Sequence, residues 1–189
     1  MISELFSKKY KKCTITVIIL AVACAAIGPL LHFAFDITNK NVIVGLFAPV
    51  NESTWEHLKL LFFPFILTSA IEYFIFGKEA HNFFSSKLIG LTAGLIFIIT
   101  NYYTTVGAFG INSMAVNIGI YIASVLLSFA ISYYRMLKDC TIGGGGYEIA
   151  AIVIFVLYFA AFTIFSYYPP HIPLFRDPMT MNYSVAGQS

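Results

Sequence analysis

Charge is what this sequence has least of. Eleven lysines and arginines and nine aspartates and glutamates make up 11% of its 189 residues, whereas 59% are hydrophobic and mean hydropathy is +0.82. A soluble domain carries roughly 25% charged and about 45–50% apolar residues, so this chain lacks the side chains to coat a water-facing surface. It has no basic patch for nucleic acid, no P-loop and no GxGxxG. The apolar runs are continuous rather than alternating, which disfavours a β-barrel, and no internal repeat points to an inverted-repeat transporter. Cysteine is scarce as well. Cys13, Cys24 and Cys140 lack metal-ligand spacing, are badly placed for a disulfide, and are expected to be inert.

What fills the chain instead is membrane-length apolar sequence. A spanning helix needs about 20 mostly apolar residues, and five such stretches run from Thr14 to Phe35, Glu52 to Phe76, Leu88 to Thr105, Ser113 to Tyr134 and Glu148 to Tyr168. No charge interrupts Leu88 to Tyr134, so the break there falls in "VGAFGINS", and the glycines of "CTIGGGGYE" are expected to form a flexible linker. The opening "KKYKKC" with its apolar run is expected to remain as a span rather than be cleaved: the run continues to Phe35, beyond a signal-peptide core. Basic residues set the orientation. With the N-terminus cytoplasmic, Lys8, Lys9, Lys11, Lys12, Lys78, Lys87, Arg135 and Lys138 lie inside, against Lys40, Lys59 and Arg176 outside.

This topology sends most of the chemistry to one face. His32 and Asp36 end span one, and Asn101 and Tyr102 end span three. The tail "YYPPHIPLFRDP" brings His171, Arg176 and Asp177, and span two opens with "APVNESTWEHLKLLFFPF". Ser53 followed by Glu56 reads as a capping box, and carboxylates suit a helix start. That leaves His57 and Lys59 unexplained. On a helix through this stretch, Glu52, Trp55, Glu56 and Lys59 fall on one stripe by i, i+3, i+4, i+7 spacing. Ionised groups at membrane depth are costly and by default functional. Two close carboxylates divide acid and base roles, and a histidine titrates near neutrality. Glu52, Glu56 and His57 are therefore the candidate catalytic groups. Asn51, Trp55, Lys59, Asn101, Tyr102, Arg176 and Asp177 are candidate ligand-binding groups, with Lys59 and Arg176 as anion holders. His32, Asp36, His57 and His171 are candidate ligands for Zn²⁺ or another divalent metal, although the HExxH pattern is absent. The opposing account treats the same residues as caps and interfacial anchors. On the other face, Glu72 is expected to pair with Lys78, and the glycines of "IGLTAG" to permit close helix packing.

The strings "PVNESTWEHLK" and "PPHIPLFRDP" together resemble a family of small, uncharacterised bacterial integral membrane proteins, over most of the chain. The resemblance implies a polytopic protein of the bacterial cytoplasmic membrane. It marks Asn51, Glu52, Trp55, Glu56, His57, Lys59, His171, Arg176 and Asp177 as matching positions, and implies no activity. The expected fold is an all-α bundle of five transmembrane helices over residues 1–168, N-terminus inside and C-terminus outside. Residues 169–189 form a Pro/aromatic strap across the outer mouth, with His171 and Arg176 turned toward span two. The expected partners are the bilayer and a small-molecule or lipid ligand. The functional expectation is binding of, or acid/base chemistry on, a small or lipid-like anionic molecule, as in a membrane-embedded hydrolase. The alternatives are a proton- or cation-coupled transporter or channel, and a non-catalytic subunit of a membrane complex.

Overall fold

A computed structural model describes residues 2–111, 113–138 and 144–183. The chain is all-helical, with no strand among the described residues. Its helices are α1 (Ile2–Ile37), the single-turn α2 (Val42–Gly45), α3 (Thr54–Ile75), α4 (Phe83–Tyr102), α5 (Met114–Leu137) and α6 (Gly144–Tyr167). A π-helical turn, Tyr103–Ala108, prolongs α4, and 3-10 turns lie at Gly77–Glu79 and Pro173–Phe175. Among the described residues, five stretches are long and apolar enough to cross a membrane: Lys11–Ile37, Thr54–Ile75, Phe83–Ala108, Met114–Leu137 and Gly146–Tyr167.

Two boundaries differ from the sequence expectation. α3 opens at Thr54 rather than Glu52, because Ser53 sits in extended backbone and its Oγ accepts from the Glu56 amide at 3.3 Å. At α6, Gly144 to Gly146 begin the helix instead of belonging to the linker. Glycine costs about 1 kcal/mol per residue in a helix relative to alanine. Glu148 ties this weak start to its neighbour, its carboxylate accepting from the amides of Phe84 at 2.7 Å and Ser85 at 3.1 Å. One side chain thereby satisfies two open N–H groups at the start of α4. The rest of the linker (139–143, including Cys140), Asn112 and the end of the strap (184–189) lie outside the described residues.

The core runs between α1, α3, α4 and α5 and is built on Leu61, Phe62, Phe65, Leu91 and Val125, all fully buried. Around it the bundle turns Ile19, Val22, Leu126, Val156 and Leu157 outward, each more than half exposed. That surface suits hydrocarbon rather than water. The α4–α5 seam is closest at Gly90 and Gly94. A Cβ on Gly94 would fall 2.0 Å from Ser128 Oγ, and one on Gly90 would fall 2.4 Å from the Ser128 carbonyl, in keeping with the small-residue packing of apolar helices.

The helix ends gather into two groups. The start of α3, the ends of α1, α4 and α6 and the start of α5 meet at one end. At the other, Asn82 Nδ2 donates to the Arg135 carbonyl at 2.9 Å. Here Lys87 pairs with Glu72 at 2.6 Å, both buried, and lies within 5.6 Å of the ring centres of Phe65, Phe83 and Phe129. The partner of Glu72 is therefore Lys87 rather than Lys78. The lysine on α4 faces the core, whereas Lys78 lies over the exposed Phe74 ring.

The seam can be tested directly. Gly94→Ala is expected to lower the unfolding free energy by about 1–3 kcal/mol, the usual range for overpacking. Gly119→Ala, where a Cβ meets nothing within 4 Å, is expected to leave stability unchanged or slightly raised. Unfolding of the detergent-solubilised protein measures both.

Candidate functional site

Because Ser53 rather than Glu52 caps α3, Glu52 lies in the connector, outside the helical stripe expected of it. The capping box forms by half. Ser53 Oγ takes the Glu56 amide, but the Ser53 amide goes to Asn51 Oδ1 at 2.9 Å and the Glu56 carboxylate points elsewhere. The two carboxylates then part company.

Glu56 and Lys59 form a buried pair at 2.8 Å, with side-chain exposures of 2% and 0%. Lys59 Nζ also donates to the carbonyls of Gly45 at 2.9 Å and Ala48 at 3.1 Å, so its three N–H bonds are all engaged. Glu56 Oε2 additionally accepts from the Val50 amide at 2.9 Å, and Oε1 accepts from Ser166 Oγ on α6 at 2.9 Å. The pair thus clamps the α1–α3 connector onto α3 and α6. Neither group lines the cavity beside the histidines.

Glu52 keeps different company. Its carboxylate is half exposed, with Oε2 3.4 Å from His57 Nε2 and Oε1 3.8 Å from His32 Nε2. The two imidazoles stand 5.2 Å apart, centre to centre. His57 Nδ1 lies 2.9 Å from the Ser53 carbonyl. A carbonyl only accepts, so the proton of the neutral ring is on Nδ1 and Nε2 presents its lone pair to the carboxylate. Two acceptors 3.4 Å apart call for a cation between them, a proton or a metal. A metal-ligating histidine typically donates its other ring N–H to a carbonyl, as His57 does here. One ligand atom from each of His32, Glu52 and His57 lies within 4.8 Å of the others. The Glu52 Oε2–His57 Nε2 separation of 3.4 Å is close to the ~3.3 Å edge of a tetrahedral zinc shell with bonds of about 2.0–2.1 Å, and His32 Nε2 lies 3.8 Å from the other carboxylate oxygen. The residues present fit a divalent metal of the His₂–carboxylate kind.

Beside the cluster lies a cavity of about 250 Å³. Glu52, Thr54, His57, Tyr102 and Asn117 supply its polar wall, Leu60, Ile98 and Ile120 its apolar wall, and Pro178 and Met179 of the tail reach its rim. Tyr121 also lines it, its hydroxyl donating to the Cys24 carbonyl at 2.9 Å.

The remaining expected residues fall elsewhere. Trp55 is sandwiched between Phe162 at 4.6 Å and Phe175 at 4.7 Å, joining α3, α6 and the tail. Asn101 Nδ2 donates back to the Phe97 carbonyl at 2.8 Å. Asp177 is buried and shapes its own turn, accepting from the Met179 amide at 2.7 Å and from Thr180 Oγ1 at 3.0 Å. Arg176 Nε donates to the Met181 carbonyl at 3.2 Å, and His171 stacks with Tyr183 at 4.8 Å. The strap therefore brings Phe175, Pro178 and Met179 toward span two, rather than His171 and Arg176. Asp36 is exposed near the end of α1 and outside the three-ligand group. Thr54, Asn117, Tyr121, Pro178 and Met179 were not singled out in the sequence. Asn117 and Tyr121 carried a readable signal, polar atoms at i, i+4 on an otherwise apolar span. Pro178 and Met179 carried none.

Residues 2–185 match a family described as a family of unknown function (DUF6512). No curated protein and no solved structure matches the chain.

The two carboxylates are expected to respond oppositely to mutation. Glu56→Gln leaves the Lys59 charge buried without its counter-ion and should destabilise the protein by about 3–5 kcal/mol. In metal-free protein, Glu52→Gln, at a half-exposed connector position, should stay within about 0.5 kcal/mol of wild type. Thermal unfolding of the two variants side by side makes the comparison.

Proposed function

The chain belongs to this family of unknown function, and we propose that His32, Glu52 and His57 form a divalent-metal site, of the zinc type, that acts on a small or lipid-like molecule held in the adjoining cavity. The observation that carries this reading is the convergence of two imidazoles and one carboxylate from α1, the connector and α3. The tautomer fixed by Ser53 aims a lone pair at the carboxylate. Three protein ligands with a further position left open is the pattern of catalytic rather than structural zinc. A metal held there would polarise a carbonyl or phosphoryl oxygen and activate a water. This chain's own contribution is the ligand set and the mainly apolar cavity, polar on the side of Glu52 and His57, that would orient the substrate. A metal would also supply the anion-binding role expected of Lys59 and Arg176, both engaged elsewhere. In this reading the protein sits in the bacterial cytoplasmic membrane. The excess of basic residues on the Lys78 and Lys138 side supports placing the cluster on the outer face.

A proton- or cation-coupled transporter is the second reading, and the buried Glu72–Lys87 pair favours it, since intramembrane ionisable groups often mark ion pathways. Against it stand Leu61, Phe65, Leu91 and Val125, all buried, in the core between that pair and the cavity.

Purified wild-type protein is expected to contain close to one equivalent of transition metal by elemental analysis, and His32→Ala and His57→Ala to lose it. Glu56→Gln, if it folds, should retain it. Binding requires deprotonated imidazoles, so the metal should be held at neutral pH and released on acidification. Metal content that is nil in the wild type, or unaltered in both histidine variants, sinks the metal reading.

A further inference from the structure

The end of the bundle opposite the histidine cluster carries a second cavity, a groove of about 280 Å³ between α3, α4 and α6. Its walls are almost wholly apolar: Ile66, Ala70, Tyr73 and Phe74 from α3, and Ile152 and Val156 from α6. Ala70, Phe74 and Val156 are exposed, so the groove opens sideways, toward the hydrocarbon that surrounds the spans. Its rim toward the membrane surface carries one ammonium set against the groove wall. Lys78, on the 3-10 turn after α3, is exposed and holds its ammonium 4.9 Å from the centre of the groove-lining Phe74 ring. His81 follows in the same connector and is also exposed; Glu79, their acidic neighbour, is exposed as well. The deeper lysine, Lys87, is already matched by Glu72 and adds no net charge.

An apolar channel open to hydrocarbon, capped at the interface by a cation on an aromatic ring, has the polarity profile of one lipid molecule. We infer that this groove binds an anionic phospholipid, one acyl chain lying along Ile66, Ala70, Ile152 and Val156 and the phosphate meeting Lys78. The Lys78 ammonium, held over the groove-lining Phe74, is what selects an anionic headgroup: a lysine near the interface attracts anionic lipid with an energy corresponding to about a fivefold preference. The apolar wall selects a lipid over a free anion, which would find no partner below the rim. The site is separate from the histidine cluster and does not rest on the metal reading.

The test uses the full chain in nanodiscs of mixed phosphatidylcholine and phosphatidylglycerol, with retained lipid read by native mass spectrometry. The wild type is expected to keep one phosphatidylglycerol in preference to phosphatidylcholine. Lys78→Gln should lower that preference about fivefold while a lipid adduct persists. Ala70→Trp and Val156→Trp fill the groove from different helices at exposed positions, and each should remove most of the adduct; the second serves if the first fails to fold. Equal retention of both lipids by the wild type, or an undiminished adduct in both tryptophan variants, overturns the proposal. So does displacement of the adduct by inorganic phosphate, which would reduce the site to a bare anion contact on Lys78.

Discussion

The Lys59 ammonium, fully buried one turn inside α3, is the constraint on which this end of the molecule depends. An ammonium in an apolar bundle must engage all its protons or not be there. Glu56 supplies one partner, one turn back on the same helix. The other two are backbone carbonyls of Gly45 and Ala48. Those carbonyls belong to a connector that leaves a helix and could not otherwise satisfy its polar groups at this depth. The same arrangement uses the Val50 amide and Ser166. The charge and the irregular backbone thus resolve each other's burial, and the path from α1 into α3 is fixed as a result.

Once that path is set, the position of Glu52 follows. With Asn51 turning back on the Ser53 amide and Ser53 capping the helix, the residue between them is held outside α3 and its carboxylate swings to the side where His57 emerges. A second consequence runs through Trp55. Its ring fills the space between Phe162 and Phe175, and Phe62 extends the stack with a centroid 4.5 Å from Phe162. Aromatic pairs of this kind each add about 0.5–1.5 kcal/mol beyond the area they bury. Phe175 is two residues before Asp177, whose buried carboxylate folds the next turn, and that turn carries Pro178 and Met179 to the cavity rim. The roof of the cavity is therefore a by-product of packing on the tryptophan.

Much of this was legible in the sequence, for reasons that differ by residue. The five apolar helices follow from composition, because hydrocarbon admits a helix and little else. The Ser53 cap could be read because capping is local. The convergence of His32 and His57 on one end followed from alternating helix direction alone. What could not be read was which carboxylate would meet which cation. Glu56 and Lys59 satisfied the same stripe as Glu52, and only the connector carbonyls, brought in from 11 and 14 residues away, decide that the pair is sealed rather than open. Glu72 is a parallel case: Lys78 is nearer in sequence, but Lys87 faces the core. The glycines at 144–146 looked like a linker because their helical register depends on Glu148 meeting the start of α4, a contact made across 64 residues. Local chemistry was readable, and partner choice across helices was not.

The two buried ion pairs also bear on how such a protein would work. Each pins one end of the bundle, Glu56–Lys59 through the connector and α6, and Glu72–Lys87 across α3, α4 and the Ser132 hydroxyl of α5 at 3.4 Å. Breaking a buried pair by separating its members exposes an uncompensated charge to an apolar interior. Rocking one set of helices against the other, as alternating access requires, would strain both. Leu61, Phe65, Leu91 and Val125 are fully buried in the core cluster between the two ends. A bundle locked at both ends and filled in the middle favours a site that works from one face without large motion. In the proposed reading the histidine–carboxylate cluster would be such a site, held by the connector that the Glu56–Lys59 pair fixes and set beside a cavity whose rim Pro178 and Met179 reach.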